Sequence, residues 1–210
     1  YYGSVSFVDH NVGRVLGALE ENGLADSTRV IYSSDHGENL GARGLWAKST
    51  LFEDSAGIPM IMAGPGVPSN RVVSEPVSLV DVFPTVLECA GVAREAADSD
   101  LPGTSLLEAA RGRLPARTVL SEYHAVASPS GSYMIRRGRY KYIHYVGYAP
   151  MLFDLEEDPY ERRDLAGVPE YAAELAACEA QLRAMLDPEA VDRLARDDQR
   201  RMVERLGGKE

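Results

Sequence analysis

The spacing of hydrophobic residues predicts a helix followed by two strands in the first part of the chain. Between residues 5 and 19 apolar side chains recur every three or four positions, which is typical of an amphipathic helix, and Asn22-Gly23 marks its end. Residues 28–32 are rich in β-branched and aromatic side chains, which indicates a buried strand. An apolar run at 58–63 has a proline near its start and predicts a second buried strand.

A long loop and two further helical segments are predicted around the second strand. The glycine-rich segment 37–57 is typical of a functional loop and includes a possible short helix near 49–55. Residues 78–87 form an apolar helical pattern that continues to Gly91. One more helical turn is predicted at 105–110.

Four strand-like runs follow one another in the second half of the chain. Arg137-Gly138 predicts a tight turn between the second and third runs. Consecutive short strands of this kind favour an antiparallel sheet. An amphipathic helix is predicted at 171–186 and a charged helix or tail at 188–206. The four runs are 118–123, 132–136, 139–145 and 151–155.

Composition and charge narrow the class of protein. Of the 210 residues 45% are hydrophobic and 26% charged, which is ordinary for a globular protein with a substantial core. The formal net charge of -10 disfavours nucleic acid and anionic membranes as partners, and no apolar run approaches the ~20 residues of a membrane helix. Cys89 and Cys178 stand in apolar helical contexts without metal-binding spacing, which favours two buried reduced thiols over a disulfide. The sequence leaves the compartment unknown, although so few cysteines favour the cytoplasm.

Asp35 and His36 are the first candidates for a functional site. They follow the predicted strand at 28–32, and ligands of open α/β sheets bind where loops leave the carboxyl ends of strands. A carboxylate oxygen and a neutral imidazole nitrogen at one turn suit a single divalent cation. Lys48 follows in the same loop and adds a positive charge that suits a bound oxyanion.

A larger set of motifs extends along the chain. The motifs are SSDHGENLG at 33–41, GLWAK at 44–48, GPG at 64–66, SLVDVFPT at 78–85, MIRRGRYKY at 134–142 and LFDL at 152–155. Together they resemble the sulfatase family of the alkaline phosphatase superfamily, closest to its branch of choline-sulfatases and phosphonate monoester hydrolases. The likeness covers nearly the whole chain and matches the C-terminal part of a sulfatase.

The resemblance implies an α/β fold, namely the C-terminal part of an alkaline-phosphatase-like α/β sandwich followed by a small antiparallel sheet with terminal helices. Residues 1–115 are expected to be the C-terminal part of the catalytic α/β domain. Residues 116–186 are expected to form the small sheet with one helix, and residues 187–210 the charged helix or tail.

The same resemblance assigns roles to the site residues. It implies that Asp35 and His36 bind one divalent metal ion and that Lys48 contacts the sulfate- or phosphate-like group and the leaving oxygen. Many arylsulfatases have Asn at the position of His36. Because a nitrogen ligand shifts preference from calcium toward manganese or another transition ion, the resemblance leaves Ca or Mn open.

The nucleophile of the family is not found in this sequence. Sulfatases act through a formylglycine made from the Cys or Ser of a C/S-x-P-x-R motif, and no cysteine or serine of the chain has that context. The chain also opens without Met and without a hydrophobic signal core. These features predict a fragment whose nucleophile and remaining metal ligands lie upstream, and which is inactive alone.

The complete protein is expected to hydrolyse a small-molecule sulfate ester. Hydrolysis of a phosphonate monoester or a phosphodiester is the first alternative, because the ligands Asp35 and His36 together with Lys48 serve either anion. A truncated interaction module without activity is the second alternative.

Three features outside the loop complete the sequence predictions. His124 follows a strand and is a candidate substrate contact, with an ordinary loop position as the alternative. The resemblance to choline-sulfatases implies a carboxylate near His124 that meets the choline ammonium. Glu122 is the only candidate and residues 126–131 contain none, which disfavours choline as the substrate. The basic cluster at 136–141 is interpreted as two strands with solvated outer faces rather than as a nucleic-acid-binding surface. Residues 199–203 resemble the tail through which choline-sulfatase-like enzymes form homo-oligomers.

Overall fold

The computed structural model describes residues 1–125 and 128–208, which form six α-helices and six β-strands. The protein is mixed α/β, as the hydrophobic spacing predicts. In chain order the elements are α1 (Tyr2–Glu21), β1 (Val30–Ser33), α2 (Glu53–Ala56), β2 (Met60–Ala63), α3 (Val82–Ala90), α4 (Leu106–Ala110), β3 (Thr118–Tyr123), β4 (Ser132–Arg137), β5 (Tyr140–Tyr145), β6 (Met151–Asp154), α5 (Ala172–Met185) and α6 (Pro188–Arg205).

The contacts divide the chain into two compact units. The first comprises Tyr1–Ser34, Pro59–Ser74 and Leu79–Leu114, and the second comprises Asp35–Ile58, Glu75–Ser78 and Pro115–Glu210. The segment that carries Asp35, His36 and Lys48 therefore belongs to the same unit as β3 to β6. The domain boundaries at 115 and 186 stay a prediction.

In the first unit β1 and β2 form an antiparallel two-stranded sheet. Both were predicted to be buried, and this is wrong because each strand is only half covered. Tyr32 and Ile61 are cross-strand partners and are 40% and 58% exposed, so one face of the ribbon is open. No residue of α1 is buried either, although the predicted apolar spacing is present.

A hydrogen-bonded junction joins α3 to α4 in this unit. The buried hydroxyl of Thr85 donates to the carbonyl of Asp81 and accepts the backbone N–H of Leu106 at 2.7 Å. Asp81 in turn accepts the N–H of Thr104 at 2.8 Å. Buried polar groups cost free energy unless they are bonded, so these contacts allow Asp81 and Thr85 to stay in the interior.

The second unit is built on the predicted antiparallel sheet, whose strand order is β3-β4-β5-β6. Side chains alternate between its faces, and both faces are covered. One face carries Tyr133, Ile135, Tyr142 and Leu152, which pack with Leu165 and with Cys178 and Leu182 of α5. The other face carries Met134, Ile143 and Phe153, which pack with Leu51, Phe52 and Leu155.

The solvated outer face predicted for the basic cluster is wrong for Lys141. This residue on β5 is 0% exposed, because the segment around Phe52 covers its face of the sheet. The predicted buried, reduced cysteines hold in part. Both are free thiols, but only Cys178 is buried and Cys89 is half-buried.

The last two helices cover the sheet face that carries Tyr133. The hydroxyl of Tyr133 donates to the carbonyl of Pro188 at 2.9 Å, and Asp192 accepts the N–H of Gly131 at 2.5 Å. Asp187 caps α6 by accepting the N–H of Ala190. Within the described ranges, none of the helices is both long and apolar enough to span a bilayer.

Candidate active site

The candidate residues lie on the segment Asp35–Ile58, called the site loop here, which is closed upon itself. The N–H of Gly37 donates to the carbonyl of Ser55 at 2.7 Å, and the N–H of Asn39 donates to the carbonyl of Ala47 at 2.9 Å. The hydroxyl of Ser55 donates to the carbonyl of Lys48. Ser55, which is buried, therefore holds both Gly37, beside His36, and Lys48.

Backbone conformation in the site loop is demanding. A Cβ at Gly37 would lie 2.2 Å from the carbonyl oxygen of Asp54, so the two chain segments approach too closely for any other residue. Leu40, Arg43 and Ala47 have positive φ angles of 50°, 53° and 65°. Non-glycine residues in this region cost free energy and persist where the surroundings fix them, which is common at functional sites.

Asp35 and His36 converge at the start of the site loop. His36 Nδ1 lies 2.8 Å from the carbonyl oxygen of Gly37. Because a carbonyl only accepts, Nδ1 is the donor in this contact, which leaves Nε2 as the ring nitrogen that can bind a metal ion. Nε2 lies 3.4 Å from Oδ2 of Asp35, and the two side chains are 38% and 82% exposed respectively.

This pair fits two ligands of a divalent cation. An imidazole whose other nitrogen donates to a backbone carbonyl has the arrangement that orients metal-binding histidines in general. A carboxylate oxygen beside it supplies the second donor, and both open toward solvent. Across 1–125 and 128–208, no group of three or more His, Cys, Asp or Glu side chains could hold a metal ion, so the described residues offer this pair without a complete ligand set.

Lys48 is an exposed residue whose backbone is held firmly. Its carbonyl accepts the Ser55 hydroxyl and the N–H of Thr50, the latter at 2.8 Å. The side chain of Trp46 nearby is 73% exposed and lies over Gly41, where a Cβ would be 3.5 Å from the indole. A fixed backbone with an exposed ammonium group is suited to an incoming anion.

His124 is built into a different environment from the site loop. Its ring meets the ring of Tyr133 edge-on at 5.2 Å, its Nε2 lies 3.5 Å from Oε2 of Glu122, and its carbonyl accepts the side chain of Gln199. Tyr133 belongs to the sheet face that α5 covers, whereas Phe52 of the site loop packs on the opposite face. Substrate contact by His124 stays a prediction.

The residues that hold the site loop on the sheet were missed by the sequence predictions. The rings of Phe52 and Phe153 meet edge-on at 6.0 Å, and the hydroxyl of Tyr123 donates to that of Ser49 at 3.0 Å. A buried ion pair between Lys141 and Glu161 adds to these contacts. The sequence signal for this pair is weak, because Lys141 and Glu161 lie on separate segments 20 residues apart.

Comparison with known proteins assigns the family. The sequence profile described as Sulfatase matches residues 1–92. The chain is 37% identical over 204 residues to choline-sulfatase from Rhizobium meliloti, covering 96% of the chain and 40% of that relative. The chain belongs to the sulfatase family. It is 37% identical to arylsulfatase K from Homo sapiens, covering 79% of the chain and 33% of that relative.

Solved structures of the family have the same fold. The structure of a 2-O GAG sulfatase matches with a TM-score of 0.75 and 30% identity, covering 92% of the chain and 42% of that structure. Phosphonate monoester hydrolase of Agrobacterium radiobacter matches with a TM-score of 0.73 and 29% identity, covering 88% and 40%. The predicted resemblance and fold class are confirmed. The sulfatase chain described here spans about two fifths or less of the length of these relatives.

Proposed function

We propose that the chain is part of a metal-dependent sulfatase that hydrolyses a small-molecule sulfate ester. The observation that carries the proposal is the pair formed by Asp35 and His36, in which the bond from Nδ1 to Gly37 leaves Nε2 as the donor beside the carboxylate. Family membership supports a sulfate ester as the class of substrate.

The proposed chemistry divides among three side chains. Asp35 and His36 hold the cation, which when bound supplies positive charge to the ester oxygen. The Nδ1–H bond of His36 keeps the ring in the metal-binding tautomer. Lys48 offsets the negative charge that grows on the sulfate and the leaving oxygen as the S–O bond breaks.

In this proposal the nucleophile, a formylglycine as in other sulfatases, comes from residues outside the chain. The chemistry of Cys178 supports this, because burial raises the pKa of its thiol to about 11 and the thiol is 0% exposed. A protonated, inaccessible thiol is a poor nucleophile. The remaining metal ligands are likewise expected from outside, and the chain alone is expected to be inactive.

The proposed metal is Mn²⁺ or Ca²⁺. The nitrogen of His36 favours manganese, since calcium prefers oxygen ligands throughout. The open position of Asp35, whose side chain is 82% exposed, leaves room for a cation and for further ligands.

The decisive experiment compares paired esters on the full-length protein. Aryl sulfate and aryl phosphonate monoester with the same leaving group are assayed with Mn²⁺, with Ca²⁺ and after chelation. Metal-dependent turnover that prefers the sulfate supports the proposal. A preference for the phosphonate supports the alternative that the phosphonate monoester hydrolase neighbours favour. The absence of turnover on either ester, with the fold intact, indicates an interaction module.

We also propose that the C-terminal tail forms a homo-oligomer. The end of α6 exposes apolar side chains that a second copy would cover, namely Met202, Val203 and Leu206. The resemblance of 199–203 to an oligomerising tail supports this use of the helix.

A further inference from the structure

We infer that Lys141 and Glu161 are positioning residues of the proposed active site, because they fix the site loop on the sheet. The inference rests on the proposed function of Asp35, His36 and Lys48. It adds two residues that lie far from them in sequence and that touch neither metal nor substrate in the proposal.

The charged cluster of Lys141, Glu53, Glu161 and Arg43 is called the anchor here. Lys141 is its central cation. It lies on β5, is 0% exposed, and its Nζ is 2.8 Å from Oε1 of Glu53 and 2.9 Å from Oε1 of Glu161. Glu53 is the first residue of α2, within the site loop. A charged ammonium group buried in this way needs both carboxylates, since an unpaired charge in the interior is costly.

Glu161 contacts both arms of the site loop, the first arm being the part that carries Arg43 and the second arm the part that carries residues 52–54. Its Oε2 accepts the N–H of Glu53 at 2.7 Å and pairs with the guanidinium of Arg43 at 3.3 Å. The side chain is 0% exposed, and its backbone has a φ of 51°. An uncommon backbone conformation at a buried carboxylate with three partners indicates that the position is strongly constrained by its surroundings.

Arg43 completes the anchor from the first arm of the loop. It pairs with Asp54 at 2.6 Å and donates to the carbonyl of Tyr160, and its guanidinium stacks over the ring of Phe52 at 4.2 Å. The anchor therefore holds one residue of the first arm and residues 52–54 of the second arm. Both arms are fixed to the sheet by the same charged cluster.

The anchor acts on the proposed site through α2. Glu53 is tied to Glu161, and two residues later Ser55 binds the N–H of Gly37 and the carbonyl of Lys48. Asp54 lies directly against Gly37. A displacement of α2 would therefore move the backbone beside His36 and the backbone of Lys48 together.

An ionic anchor fixes geometry more than it adds stability. Buried ion pairs contribute little net stability compared with apolar side chains of similar size, but they accept only certain directions and distances. Leu51 and Phe52 already supply apolar burial for the loop. Orientation of the loop is thus the property that Lys141 and Glu161 add.

The test compares Lys141→Met with a matched control in the full-length protein. We expect peptides from 36–56 to exchange amide hydrogen at least 10-fold faster, and kcat to fall about 100-fold with a smaller change in KM. Arg139→Met is the control. Nε of Arg139 donates to the carboxylate of buried Asp154 on the same sheet at 2.7 Å. Among the described residues the side chain of Arg139 makes no hydrogen bond to the site loop. We expect Arg139→Met to leave loop exchange unchanged.

A second variant covers the case in which Lys141→Met does not fold. Glu53→Gln removes the loop carboxylate and leaves the pair of Lys141 and Glu161 intact. We expect faster loop exchange and lower kcat in this variant as well. Unchanged loop exchange in Glu53→Gln, or a loss of kcat equal to that of Arg139→Met, would overturn the inference. If the parent protein hydrolyses no ester, the proposed function fails, while loop exchange still decides whether the anchor orders the loop.

Discussion

At the scale of single residues, the imidazole of His36 shows how one hydrogen bond prepares a ligand. The carbonyl of Gly37 accepts from Nδ1, which leaves Nε2 beside the carboxylate of Asp35. Gly37 is itself held in place by its close approach to Asp54, where only a hydrogen side chain fits. The chemistry of His36 therefore depends on the residue that follows it.

Replacement of His36 by Asn tests the choice of metal. His36→Asn exchanges a nitrogen donor for an oxygen donor, so we expect the affinity for Mn²⁺ to fall at least 10-fold relative to that for Ca²⁺. Calorimetric titration of the full-length apoprotein with each ion measures both affinities. His10→Asn, a change on the exposed surface of α1, is the control. An equal loss of affinity for both ions would show that His36 does not determine the metal preference.

Replacement of Lys48 tests the proposed contact with the anion. Lys48→Ala in the full-length protein is expected to lower kcat by about 100- to 1000-fold, because a positive charge beside the developing anion is lost. The unfolding temperature should stay the same, since the carbonyl of Lys48, not its side chain, makes the bonds to Ser55 and Thr50. Unaltered kinetics would exclude Lys48 from the site.

At the scale of elements, two backbone segments of the site loop approach each other so closely at Gly37 that we expect a larger side chain there to destabilise the fold. Gly37→Ala would place a methyl group 2.2 Å from the carbonyl oxygen of Asp54, so we expect a loss of about 1–3 kcal/mol in the free energy of unfolding. Urea denaturation measures it. Gly167→Ala is the matched control because no heavy atom of the described residues lies within 4 Å of its added Cβ. Equal effects of both substitutions would contradict the prediction.

The junction of α5 and α6 is expected to weaken in acid. Arg183 donates two hydrogen bonds of 2.9 Å to Glu189, and this pairing lowers the pKa of Glu189 to about 2 from an ordinary value of 4.5. The stabilisation is therefore complete above pH 4.5 and is lost as the pH falls toward 2. Unfolding temperatures of the parent protein and of Glu189→Gln should converge over that interval. A constant difference between them down to pH 2 would refute this linkage.

The strand β5 shows where periodicity alone misleads. Tyr140, Tyr142 and His144 alternate along it with Lys141 and Ile143, and both of its faces are covered in the structure. A lysine among arginines was nevertheless interpreted as solvated. Its two carboxylate partners lie 88 and 20 residues away in sequence, so no local pattern could have revealed its burial.

At the scale of the whole molecule, the sequence predicted those features that depend on neighbouring residues and missed those that depend on contacts between distant segments. Helices α1, α5 and α6 and the meander of β3 to β6 depend on spacing within short windows, and they occur where predicted. Asp35, His36 and Lys48 lie close together in the sequence, so they could be proposed as site residues from it, and their roles stay a prediction. The cover of β1 and the burial of Lys141 depend on distant residues. The strand was predicted to be buried and Lys141 to be solvated, and both predictions were wrong.

The proposed homo-oligomer is tested by changing its apolar contact. Met202→Glu together with Leu206→Glu is expected to lower the oligomeric state of the full-length protein, because both side chains are exposed, Met202 on the last turn of α6 and Leu206 directly after it. Sedimentation velocity gives the measurement. Arg193→Glu, on the same helix, controls for added negative charge. An assembly that withstands the double substitution would require another interface.

Trp46 is an intrinsic fluorescent probe of the site loop. Trp46 is the only tryptophan of this sequence, it lies two residues before Lys48, and its indole rests over Gly41. Indole emission depends on the polarity and motion of its surroundings, so the fluorescence of this one residue is expected to respond when an anion or a cation enters the loop. Titrations of the chain with Mn²⁺ or sulfate can thus be followed without turnover and without an attached dye.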